Sequence, residues 1–156
     1  MTGSVLSSLL RINRQQLRIL RQTVLNPNGY VEAMHLIVLY VGRHPGASQE
    51  DVVNFFALDK AGVARGARRL EEMGHLRRAQ DPQNRRQYQL YLTPAGEEMR
   101  RLINAAYDRF QRQLSHGVSD EDWARLACLL RRLEENSCCE PCRGTAEACK
   151  ESLNKS

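Results

Sequence analysis

The sequence predicts a mainly α-helical fold that carries one small β-hairpin. Three observations predict it. Apolar residues recur at spacings of three and four toward both ends of the chain, the pattern of amphipathic helices. Between residues 48 and 75 two helical segments follow each other closely, each opened by a capping residue, and the second carries several arginines. Residues 76–79 and 87–92 then alternate or carry strand formers around Asp81-Pro82-Gln83-Asn84, which has turn chemistry. Helix, helix, short helix, arginine-bearing helix, hairpin, helix and helix is the order of a winged helix-turn-helix core with long helices on either side.

Each element has its own signal. Leu6, Leu9, Leu17, Leu20 and Val24 make residues 5–25 an amphipathic helix, which Asn26-Pro27-Asn28-Gly29 ends in a turn. Residues 30–41 are almost continuously apolar, as in a helix packed on several sides, and His44-Pro45-Gly46 stops it. Ser48 then stands as an N-cap with Asp51 three residues on, so acids complement the dipole of the next helix. Asp59 caps the following helix, whose inward side is Val63, Ala67 and Leu70 and whose stop is Gly74. Gly62 and Gly66 each weaken it by about 1 kcal/mol relative to alanine. Either the helix must approach DNA or a partner helix closely there, or the glycines are simply tolerated. After the hairpin, Met99, Leu102, Ala106, Phe110 and Leu114 form one apolar stripe. Trp123, Leu126, Leu130 and Leu133 form another beyond the break at His116-Gly117-Val118 and the Ser119 cap.

At 156 residues the chain fits a single domain. Its expected organisation is a domain over residues 1–136, with a winged core at 30–96 flanked by helices at 5–25 and 97–136, then a cysteine-rich polar tail at 137–156. Charge is concentrated rather than spread. Residues 59–90 hold eight Lys and Arg against four acids, a net +4 of the chain's formal +5. Arg11 interrupts any signal-peptide-like apolar run, and the apolar run at 36–41 is far too short to span a bilayer, so a cytoplasmic protein with no membrane partner is expected. The four histidines are dispersed, and neither paired carboxylates nor a phosphate-cradling glycine loop is visible; no enzymatic activity is expected and no cofactor required.

The chemistry concentrates on the capped, arginine-bearing helix. Opposite its inward stripe lie Ala61, Arg65, Arg68 and Glu72, flanked by Ala64 and Arg69. Small side chains let a helix sit close to base edges, and arginine can bridge guanine O6 and N7 with about 1–3 kcal/mol of discrimination. Arg85 and Arg86 directly follow the hairpin turn, where they can enter a minor groove or neutralise phosphates. The competing explanation is a solvated face whose arginines pair with Glu71 or Glu72. The candidate DNA contacts are therefore Ser48, Lys60, Ala61, Ala64, Arg65, Arg68, Arg69, Arg85 and Arg86, and the expected partner is duplex DNA.

In order along the chain, Asp59, Lys60, Arg65, Leu70, Glu71, Gly74, Leu76 and Arg78, then Asp81 and Arg86, then Leu92, Thr93 and Gly96 resemble the MarR family of winged helix-turn-helix transcription regulators. With the flanking helices the resemblance covers residues 5–136. Ala64 departs from it where many members carry a hydroxyl, and Asn84 replaces the second acid of the wing. The family's hydroperoxide-sensing branch is less similar, because no cysteine precedes Cys128. The resemblance implies a homodimer with intertwined terminal helices. Its two recognition helices would meet successive major grooves about 34 Å apart on a pseudo-palindromic operator. It also implies a repressor released by a small, often aromatic molecule or by a thiol or metal signal. Tyr30, His35, Tyr40 and Tyr107 are candidates for such a pocket, or are ordinary core residues.

The tail carries the feature that the resemblance does not explain. Cys138, Cys139, Cys142 and Cys149 fall within twelve residues, close enough to share a soft metal or to form disulfides on oxidation, or else they are incidental thiols. A second functional class follows from them: a winged-helix protein-interaction or metal-handling module whose tail is the working part.

Overall fold

The computed structural model describes residues 4–31, 33–80 and 88–137. Its helices are α1 (Val5–Leu20), α2 (Met34–Arg43), α3 (Gln49–Phe56), α4 (Lys60–Glu72), α5 (Pro94–Ser115) and α6 (Asp120–Ser137), and β1 (Leu76–Gln80) pairs with β2 (Tyr88–Leu92). The chain is thus mostly helical with a two-stranded antiparallel wing, the predicted fold class. It divides into two compact units at residues 110 and 111.

In the first unit, Ser4 caps α1 by accepting the Ser7 N–H at 3.4 Å. The predicted helix over 5–25 is not uniform. Beyond Leu20 it widens into a π-helical turn, Arg21–Leu25, and then tightens into a 3₁₀ turn, Asn26–Asn28. Pro27 explains the change, since its ring crowds the carbonyl four residues back. Gly29 closes the turn at φ 71°, and the Tyr30 N–H bonds the Leu25 carbonyl at 2.9 Å. α2 therefore starts at Met34, later than the apolar run alone implies, and it buries Met34, His35, Ile37, Val38 and Val41.

The next two helices begin as their sequences require. The Ser48 hydroxyl accepts the Asp51 N–H, and the Asp51 carboxylate accepts the Ser48 N–H at 2.7 Å. Asp59 accepts the Gly62 N–H at 2.6 Å at the start of α4. α4 buries Val63, Gly66, Ala67 and Leu70. A Cβ on Gly66 would lie 3.0 Å from Ile37 Cδ1 and 3.6 Å from Met34 Cγ, so the close approach is to α2. At its end the His75 N–H reaches the Leu70 carbonyl and the Gly74 N–H the Glu71 carbonyl, with Gly74 at φ 73°. That pair of bonds is a Schellman stop.

The hairpin pairs Leu76 with Leu92, Arg78 with Leu90 and Gln80 with Tyr88, and it buries Leu76 and Leu90. The loop before α3 joins it as well: the Gly46 N–H bonds the Leu90 carbonyl and the Leu90 N–H bonds the Ala47 carbonyl, both at 2.8 Å. At the far end of the strand, Thr93 Oγ1 donates to the Gly74 carbonyl at 2.6 Å and accepts the Gly96 N–H at 3.1 Å. A Cβ on Gly96 would run into the His75 carbonyl. On α5 the buried positions are Gly96, Met99, Ile103 and Phe110. Leu102 is 42 % exposed in the single chain, and Ile103 takes the inward position beside Met99. From Met99 a step of four reaches Ile103 and seven more reach Phe110, while a step of three turns outward.

In the second unit, α6 is opened by Ser119, whose hydroxyl accepts the Asp122 N–H at 3.1 Å. Leu126, Leu129 and Leu133 are exposed along it.

Candidate nucleic-acid interface

Buried Val63, Ala67 and Leu70 fix the roll of α4, and the opposite face follows from the helical period. Lys60, Ala61, Ala64, Arg65, Arg68 and Arg69 are all exposed on it. Two alanines lower the relief of that face, so a flat, deep groove could approach the backbone while the arginines reach past it. Lys60 Nζ lies 3.3 Å from Glu50 Oε1, a bridge from α4 to α3. Arg78 on β1 lies 3.2 Å from Glu71, a bridge from the hairpin to α4. Arg68 and Arg69 lie 3.1 and 3.5 Å from Glu72. The pairing predicted by the solvated-face explanation thus exists for these two. Exposed pairs of this kind contribute about 0–1 kcal/mol, too little to keep these arginines from DNA.

Ser48 has a narrower position than the arginines. Its hydroxyl accepts the Asp51 N–H and donates to Asp51 Oδ2 at 2.8 Å, so it is engaged within the cap. Beside it, Gly46, Asp51, Asn54, Tyr88 and Gln89 line an open polar groove between the start of α3 and β2. Arg85 and Arg86 lie outside the described residues. On the described part of the wing, sequence reasoning passed over Arg77, whose guanidinium carbon sits 4.3 Å from the centre of the Tyr91 ring. The signal was available only through the register, which pairs Arg77 with Tyr91.

The proposed pocket residues have diverse surroundings. Tyr30 is buried, and its hydroxyl is 2.8 Å from His75 Nδ1. Burial raises the phenol pKa of Tyr30 and lowers that of His75. His35 is buried on α2. Tyr40 packs among His44, Phe55 and Phe56, with ring centres 4.6, 5.0 and 6.1 Å away. Tyr107 is half-buried against the core, where burial raises its pKa. Tyr30 and Tyr40 thus face different neighbours.

Cys138, Cys139, Cys142 and Cys149 lie outside the described residues, and Cys128 is an exposed free thiol on α6. Among the described residues, no helix is long and apolar enough to cross a membrane.

Comparison with known proteins bears on this face. A family model described as MarR family matches residues 33–87, a stretch that takes in α2, α3, α4 and β1. The chain is 32 % identical to a solved structure of MarR, over 87 % of this chain and 92 % of that one, with a TM-score of 0.77. It is 28 % identical over 135 residues to a putative transcriptional regulatory protein for the hcr operon of Thauera aromatica, covering 84 % of this chain and 81 % of that protein. Over 102 residues it is 28 % identical to the HTH-type transcriptional regulator BilQ of Clostridioides difficile, covering 65 % and 69 % respectively.

Proposed function

Because this chain belongs to the MarR family, whose members are non-enzymatic DNA-binding transcription regulators, we propose that it acts as a homodimeric repressor of a pseudo-palindromic operator. The observation that carries this reading is the α4 face: two alanines and three arginines exposed together above a fully buried Val63, Ala67 and Leu70. In this reading Arg65, Arg68 and Arg69 face the major groove. Lys60, at the start of α4, meets phosphate. Arg85 and Arg86 extend the contact from the wing.

Dimerisation is supported by apolar surface that a monomer leaves wet. Leu6 is 75 % and Leu10 52 % exposed on α1, and Leu129 is 55 % exposed on α6. A second copy of the same helices is the natural cover, and closed twofold symmetry would set two α4 helices about 34 Å apart. Release from DNA would come from a small aromatic effector or from oxidation or metal binding at the cysteine tail, in the cytoplasm. The protein-interaction or metal-handling alternative is not favoured, since the matches fall on regulators of transcription.

The test is salt-dependent binding to duplex DNA from upstream of the protein's own gene, combined with sedimentation to determine the oligomeric state. Tight binding that weakens steeply with salt, by a dimer, is expected. Affinity that is absent, or indifferent to salt, would refute the DNA reading, and a monomer at the binding concentration would refute the dimer. Footprinting with and without reductant, chelator and small aromatic acids then tests the release signal: unchanged protection throughout would remove it.

A further inference from the structure

We propose that Glu72 is a specificity-determining residue of the α4 face, one that holds the Arg68 guanidinium for base edges and away from indiscriminate phosphate contact. The inference rests on the DNA-binding reading above. Glu72 is the last residue of α4, and its two carboxylate oxygens are divided between Arg68 Nε at 3.1 Å and Arg69 Nη1 at 3.5 Å.

Helix stability gives little reason for an acid there. A helix C-terminus favours cations, and an acid placed C-terminal to its basic partner is the weaker arrangement of such a pair. The neighbouring acid has a different task, because Glu71 reaches Arg78 on β1. A negative charge on a face that must meet a polyanion also lowers its general attraction for DNA.

Orientation is what Glu72 supplies. Its bond to Arg68 uses Nε and leaves the terminal Nη pair, the fork that matches guanine O6 and N7. A phosphate that approached this guanidinium in an arbitrary register would have to displace the carboxylate or lie beside it, and both are unfavourable. Bases in the correct register can engage the fork while the carboxylate stays in place. Glu72 thus penalises backbone-only binding and preorganises base reading.

The experiment compares wild type, Glu72→Gln, Glu72→Asp and Glu98→Gln on two duplexes of equal length across a salt series. One carries the footprinted upstream site and the other has a scrambled sequence. Glu72→Gln should bind the scrambled duplex about fivefold tighter, with the preference for the site falling by a similar factor. Its salt slope on scrambled DNA should rise by about one. Glu72→Asp keeps the charge but shortens the reach, so it should also lose preference. Glu98→Gln removes the same charge from an exposed pair with Arg101 on α5 and should leave the preference intact. If wild type discriminates and Glu72→Gln discriminates equally well, or if Glu98→Gln reproduces its effect, the role of Glu72 is overturned while DNA recognition stands. Wild type that binds neither duplex overturns both.

Discussion

Tyr30 and His75, forty-five positions apart in the chain, meet through a 2.8 Å bond between phenol oxygen and Nδ1. Tyr30 opens the approach to α2, and His75 closes the Schellman stop of α4. The bond therefore ties the segment after α1 to the end of the helix that presents the arginines. Removing the hydroxyl leaves a ring nitrogen without its partner. Tyr30→Phe should cost about 1–3 kcal/mol, read as a lower urea midpoint with an unchanged slope. An unchanged midpoint would mean that the bond contributes nothing.

The same pair gives the protein a pH dependence with a definite sign. Burial lowers the pKa of His75 below its ordinary 6.5, so the unfolded chain takes up the proton first. The stability linked to neutral His75 is present above that value and is lost as pH falls below it toward the lowered folded value. Burial acts on Tyr30 in the opposite direction, since its phenol resists ionisation in the fold and stability is lost as pH rises above 10.0. Thermal melts across pH should show a decline on the acid side that is flatter in His75→Gln. An identical acid limb in the variant would assign the decline to other groups.

Gly66 should resist enlargement. Alanine there gains about 1 kcal/mol of helix propensity, but its Cβ meets Ile37 Cδ1 at 3.0 Å, and overpacking of this kind costs about 1–3 kcal/mol. Gly66→Ala should be destabilising, and adding Ile37→Val, which removes the offending methyl, should restore part of the loss. A double-mutant cycle showing no coupling between the two sites would contradict the contact.

Leu70 is fully buried beneath the arginine face. Leu70→Ala should cost about 2–5 kcal/mol in denaturant unfolding. A variant as stable as wild type would show that α4 is rolled differently, and the assignment of its outward face would change with it.

On DNA, the arginines should separate by role. Arg65→Ala or Arg68→Ala should relax base preference by about 1–3 kcal/mol at a few positions of the site. Arg86→Ala should weaken binding more evenly across sequences and lower the salt slope by about one. Competition against single-base variants of the site distinguishes these outcomes, and the reverse pattern would exchange the roles of helix and wing.

What the sequence made legible was mostly local chemistry. Ser48 with Asp51, Asp59 before α4, and Gly74 after it each announce a helix end through bonds made within a few residues, and all three formed as expected. Relations between elements were harder to read. The pairing of Gly46 and Ala47 with Leu90 is too short to have a periodic pattern. The reason for Gly66 lies on another helix, and the choice between Leu102 and Ile103 depends on a rotation that spacing alone leaves open. The α4 face was legible because its buried stripe and its charges are offset by half a turn within a single element. The ion pairs of Glu72 were foreseen only as a competitor to function.

The junction of Gly74, Thr93 and Gly96 has a mechanical meaning. Thr93 clasps the backbone at both ends of the turn, and Gly96 lets α5 lie directly against the His75 carbonyl, with no side chain between them to act as padding. Such a joint has almost no slack. A tilt of the first turns of α5 would be delivered to the end of α4 as displacement rather than absorbed as bending, as a crank turns its shaft.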